Sequence, residues 1–115
     1  MLGRIEELVI DCAEPAVLVR FWAAVLGGSP VDRGPDWSYV DPPDGQPRIA
    51  FQRVPEPRGD RKNRLHLDIG VADIDRVREQ LLAAGARAVG GVRTDEQGAF
   101  QVMSDPEGNE FCLVR

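Results

Sequence analysis

One histidine, two cysteines and one tyrosine occur in 115 residues, and each scarcity closes off a class of protein. The lone imidazole has no second histidine at metal-ligand spacing. Cys12 and Cys112 both sit in apolar, strand-like segments. With no secretion signal in view they suggest reduced thiols in a cytoplasm rather than a disulfide framework. Positive charge is in deficit, 14 Lys+Arg against 19 Asp+Glu, for a net charge of −5 and a pI near 4.8. A basic footprint is therefore absent, and nucleic acid is not expected as a partner. No apolar run approaches the roughly 20 residues of a membrane span, and the N-terminal residues lack a signal peptide's apolar core. No glycine-rich loop leads from a strand into a helix with lysine and serine or threonine, so no phosphate loop is expected. The serines lie in or beside turns and strands without a glycine elbow, which removes a Ser-His-Asp hydrolase. What remains is 43% hydrophobic residues, enough for the core of one small domain.

Along the chain, Leu8, Ile10 and Cys12 alternate with Glu7, Val9 and Asp11, the period-2 pattern of a strand over residues 6–12. Glu14-Pro15 opens a helix, with proline at a position where its missing N–H is not needed. Leu18, Phe21, Trp22 and Val25 make its apolar stripe, and Gly27-Gly28 ends it. Short strands follow at 29–33 and 36–41, then a turn through Asp41-Pro42-Pro43-Asp44-Gly45, then a strand at 48–54. Residues 55–63 contain no aliphatic or aromatic side chain and read as a polar linker.

The stretch 63–73 reads as an internal strand that feeds a second helix. Leu65, Leu67, Ile69 and Val71 alternate with His66, Asp68 and Gly70, which places the only histidine on the polar face beside a carboxylate. Asp73 is the expected N-cap. Ile74, Val77, Leu81 and Ala84 form the expected buried stripe, and Gly85 the residue past the helix end. Strands are expected at 86–92, 99–104 and 110–114, with Asp105-Pro106-Glu107-Gly108-Asn109 as the turn before the last.

The chain repeats itself. Its two helix starts, Glu14 and Asp73, lie 59 residues apart. At that offset Leu8 falls on Leu67, Ile10 on Ile69, Cys12 on Val71 and Leu18 on Val77. Each half reads as strand, helix and three strands. Neither half buries its sheet face alone, so the two are expected to pair around one groove. The fold class is α+β: two βαβββ modules, 1–54 and 64–115, with curved sheets forming a groove and helices outside.

The duplication, the strand-borne histidine before Val71-x-Asp73, Gly85-Ala86 after the second helix, and Ser104-Asp105-Pro106-Glu107-Gly108-Asn109-Glu110 together resemble the vicinal oxygen chelate superfamily. That group includes glyoxalase I, extradiol dioxygenases and bleomycin-resistance proteins. Phe21-Trp22, Leu26-Gly27, Phe51-Gln52-Arg53-Val54 and Asn63-Arg64-Leu65-His66-Leu67-Asp68 look most like its glyoxalase-like domain branch. The resemblance implies a single divalent metal (Zn, Ni, Fe or Mn) held by the first and last strands of both modules. By position, the holders would be Glu7, Gln52 (or its neighbour Phe51), His66 and Cys112. Metal-dependent members carry glutamate four residues after the glycine of the Asp-Pro-x-Gly turn; here that place is Cys112, with Glu110 two residues earlier on the same strand face. A homodimer is implied by resemblance alone.

Two readings of function follow. In the first, the metal polarises a carbonyl or a pair of neighbouring oxygens on a small molecule, and Glu7 is the general base, as in a lyase, isomerase or dioxygenase-like enzyme. In the second, no metal is bound and the chain sequesters a small molecule, with His66 and Asp68 as hydrogen-bonding groups in a wet groove. Cys112, among Phe111, Leu113 and Val114, is expected as a small buried hydrophobe, and Cys12 as core. Trp37 and Tyr39 share one face of a strand and suit a flat ligand, or packing between sheets. With Asp68 they are the candidate substrate contacts. Arg48, Arg53, Arg58, Arg61, Lys62 and Arg64 read as a solvated face near the linker.

Overall fold

In the computed structural model, which describes Met1–Arg115, strand β1 (Glu7–Cys12) leads into helix α1 (Pro15–Leu26), followed by β2 (Pro30–Asp32), β3 (Trp37–Val40) and β4 (Arg48–Arg53). These elements form the first of two units, Met1–Arg58. The strands run β1-β4-β3-β2 across an open mixed sheet. β1 lies parallel to β4, and the other pairs are antiparallel. Register sorts the side chains onto two faces. Ser38, Val40, Ile49 and Phe51 are buried on one face, together with Leu18, Val19, Phe21 and Trp22 of α1. Phe21 and Trp22 meet edge to face, 5.4 Å between ring centroids, a favoured aromatic geometry. The buried Ser38 hydroxyl donates to Asp32 at 2.8 Å, and Arg20 pairs with the same carboxylate at 2.9 Å. The opposite face carries Glu7, Asp11, Trp37, Tyr39, Arg48 and Gln52.

The second unit, Gly59–Arg115, contains β5 (Asp68–Gly70), α2 (Ile74–Ala83), β6 (Arg87–Ala88), β7 (Arg93–Asp95), β8 (Gly98–Ser104) and β9 (Glu110–Val114). Its order is β5-β9-β8-β6, with β7 also paired to β8. Again the first strand is parallel to the last, and the helix returns the chain between them. The duplication read from the 59-residue offset is therefore present in the topology. Two helices and two open mixed sheets make the fold α+β.

α2 begins as its sequence requires: the Asp73 carboxylate accepts from the Arg76 amide at 3.1 Å. It ends at Gly85, whose φ of +107° suits glycine. Its stripe is thinner than expected. Ile74 and Leu81 are buried and Val77 half-buried, but Ala84 is exposed because it caps the helix rather than continuing it. Phe111, Leu113 and Met103 complete the core of this unit. The buried Gln101 amide ties the layer together. Its oxygen accepts from Arg78 on α2 at 3.1 Å, and its nitrogen donates to the Gly90 carbonyl at 2.8 Å.

Three expectations of this half need correction. The strand expected over 86–92 is cut to the two residues of β6, because the chain turns at Gly90 with φ +100°, and β7 starts only beyond it at Arg93. The strand expected over 63–73 is only three residues long, so His66 lies just before it, and Leu65 is 72% exposed rather than inward. Strands extend only where a neighbour offers hydrogen bonds: β9 begins at Glu110, and its Cys112 amide donates to Leu67 O as the ladder starts. β5 is also the edge of its sheet, not an internal strand. No helix is long and apolar enough to cross a membrane.

Candidate metal centre

Parallel pairing of β5 with β9 sets Asp68 directly opposite Cys112. Side chains at such positions share a face. His66, two residues before Asp68, reaches the same side, with Nε2 at 3.4 Å from Asp68 Oδ1. The imidazole nitrogen, the carboxylate oxygen and the Cys112 sulfur all lie within 4.8 Å of one another. They stand in a pocket of about 370 Å³ that is also lined by Phe100, Val114, Gln97 and Arg115. The donors are open to that space: the His66 and Asp68 side chains are 50% and 57% exposed.

The donor set suits a transition metal. A tetrahedral shell of radius about 2.0–2.3 Å needs ligand atoms about 3.3–3.8 Å apart; the His66–Asp68 pair stands at 3.4 Å, and the Cys112 sulfur lies within 4.8 Å of both. One nitrogen, one oxygen and one sulfur leave a fourth position for a small molecule, the pattern of catalytic rather than structural zinc. In the metal-free protein the Cys112 thiol is pushed above its ordinary value of 9.0, first by burial and then by the negative charge and hydrogen bond of Asp68. It is therefore a thiol, not a free thiolate, and an incoming cation would have to displace its proton. Cys112 is also not the buried hydrophobe expected from its neighbours. Phe111 and Leu113 turn into the core, while Cys112 is half-buried on the pocket face.

The other candidate residues belong to the first unit. Register selects Gln52 over Phe51 as the one sharing a face with Glu7, since Phe51 is fully buried on the helix side. The structure does not bring Glu7 and Gln52 together. Glu7 pairs with Arg48, and Gln52 with Asp11, four positions further on, a separation of about 13 Å at roughly 3.3 Å per residue. Trp37 stands opposite Gln52, and Tyr39 opposite Ala50. One face of the Tyr39 ring is covered by the Arg48 guanidinium, 3.9 Å from its centroid. Arg48 also pairs through two nitrogens with Asp41, at 2.7 and 3.0 Å. That pairing raises the Arg48 pKa and lowers that of Asp41. Cys12 is buried as expected. Asp68 is the donor that the sequence reading placed elsewhere, among substrate contacts. The signal was its i, i+2 spacing from His66, but only the β5–β9 register joins that pair to Cys112.

The family model of the glyoxalase-like domain matches residues 7–114. The chain belongs to the glyoxalase-like domain family. It thereby joins the vicinal oxygen chelate superfamily. This glyoxalase-like chain is similar to a crystal structure of a glyoxalase/bleomycin resistance protein/dioxygenase family enzyme from Burkholderia phytofirmans PsJN. The TM-score is 0.81 at 18% identity, over 97% of this chain and 98% of that one. It is similar also to a glyoxalase-related enzyme from Fulvimarina pelagi, with TM-score 0.76 at 18% identity over 98% and 88% of the two chains. A member of the same superfamily from Sphaerobacter thermophilus gives a TM-score of 0.69 at 22% identity over 98% and 97%. At these identities the likeness is one of fold. No curated protein sequence matches the glyoxalase-like chain.

Proposed function

We propose that this glyoxalase-like protein holds one divalent transition metal on His66, Asp68 and Cys112 and takes a small oxygenated molecule at the open position, as a lyase, isomerase or dioxygenase-like enzyme. The observation that carries the reading is the convergence of three chemically suitable donor atoms within 4.8 Å in one pocket. When bound, the ion would supply Lewis acidity toward a carbonyl or a pair of neighbouring oxygens. The protein's share is then defined. His66 would hold the ion through an imidazole nitrogen. Asp68 contributes charge and fixes the imidazole. Cys112 would hold the ion through its sulfur once the thiol proton is lost. Phe100 and Val114 give the substrate apolar lining.

A second reading is favoured by the protonated state of Cys112. In it the same three residues act as hydrogen-bonding groups for a sequestered small molecule, with no metal. Metal content separates the two. Protein purified without chelator or affinity tag, and protein loaded with Zn, Ni, Fe or Mn, would be compared with His66→Ala and Cys112→Ser. Stoichiometric metal that is lost on either substitution supports the first reading. Absence of metal under every loading condition leaves the second.

A further inference from the structure

We infer that the recess beside Trp37 in the first unit is a binding site for a flat, uncharged molecule carrying a carbonyl or carboxamide oxygen. The inference stands apart from the metal reading and uses none of its residues. It starts from an unpaired donor: the Trp37 indole Nε1–H is shielded from solvent and has no acceptor. A buried N–H left unmade costs about 1–3 kcal/mol, and such groups are rare enough to require an explanation. Gln52 lies directly opposite on β4 and carries an amide oxygen able to accept, yet the bond is not formed.

The indole borders an open recess of about 640 Å³, within the range of small-molecule sites. Val54, Pro55 and Ala13 give it apolar walls. The Gln52 and Arg53 side chains at its rim are exposed, and binding requires one of them to turn outward so that the shielded indole N–H meets the ligand oxygen. The indole face offers a stacking surface, and the Gln52 amide both donates and accepts. Charge then selects among acceptors. Asp11 is the register partner of Gln52, and Asp36 precedes Trp37 on the recess wall. Against these two carboxylates stands one guanidinium, Arg53. The local balance is negative, so an anionic acceptor is disfavoured and a neutral carbonyl fits.

The experiment uses the two tryptophans of the full chain as signal and reference. In nitrogen-15-labelled protein each indole N–H gives its own resonance, and Trp22, on the buried face of α1, reports on the core. Titration with benzamide should move the Trp37 indole proton downfield and saturably while Trp22 stays still. The affinity should fall about tenfold in Trp37→Phe, the loss expected for one hydrogen bond. Benzoate should bind more weakly. An unmoved Trp37 resonance, or benzoate binding as tightly as benzamide, overturns the inference. So does Gln52→Leu shifting the Trp37 indole proton upfield in ligand-free protein, since the donor would then already be bonded to Gln52.

Discussion

Asp68 and Cys112 face one another across the β5–β9 pair, so a carboxylate and a thiol share one proton-bearing contact at the edge of the sheet. Burial does most to hold the thiol proton in place, and the Asp68 charge and hydrogen bond add to it. In metal-free protein at pH 8, alkylation of Cys112 by iodoacetamide should therefore be slow. Asp68→Asn removes the charge and should speed it severalfold, while burial keeps it slower than a free thiol. Mass spectrometry of the modified peptide measures both rates. Equal rates would remove Asp68 as a cause.

Gly98 adopts a φ of +139°, and a Cβ built there would lie 2.2 Å from the Arg115 carbonyl oxygen. Gly98→Ala must therefore open the β8–β9 edge as well as strain its own backbone. The expected loss is about 1–3 kcal/mol from the backbone alone, read as a lower midpoint in urea with an unchanged slope. A wild-type midpoint would show that the edge yields without cost.

Asp32 accepts from Arg20 and from the buried Ser38 hydroxyl, and these two bonds, Arg20's first, hold its pKa below 3.8. A depressed carboxylate contributes stability that is present above the unfolded pKa and lost as pH falls through the folded one. Wild type should therefore lose stability below about pH 4 more steeply than Asp32→Asn. Urea titrations at pH 7 and pH 3 would show it as a smaller difference between the two proteins in acid. A constant difference would mean that the carboxylate's charge contributes nothing.

The Asp73 cap is a single hydrogen bond to the Arg76 amide, on an exposed helix that buries only Ile74 and Leu81. Asp73→Ala should cost about 1 kcal/mol. Asp73→Ser should restore most of it, because a hydroxyl accepts in the same place. Thermal unfolding of the three proteins checks the order.

Local chemistry made much of this fold legible. Pro15 and Gly27 bound α1, Asp73 and Gly85 bound α2, and the alternation of Leu8, Ile10 and Cys12 announces β1. The misreadings share a cause. Leu65 and Leu67 carry the same period as a strand, but only Leu67 finds a partner, in the Cys112 amide. Leu65 is exposed for want of a neighbouring strand. The site was half legible for the same reason. His66 stood out as the only imidazole, whereas its grouping with Asp68 and Cys112 depends on a register between residues far apart in the chain. The separation of Glu7 from Gln52 likewise follows from pairing, which no spacing along the sequence encodes.

In both units the opening strand lies beside the closing one: β1 on β4, and β5 on β9. During synthesis β1 must wait for residues 48–53 to emerge before it can be stitched into its sheet, and β5 must wait for residues 110–114. Such late, long-range closure makes each unit slow to nucleate and all-or-none once it does. It also puts His66 and Asp68 at the mercy of the far end of the chain. A protease that trims β9 would scatter the three donor atoms without touching either residue.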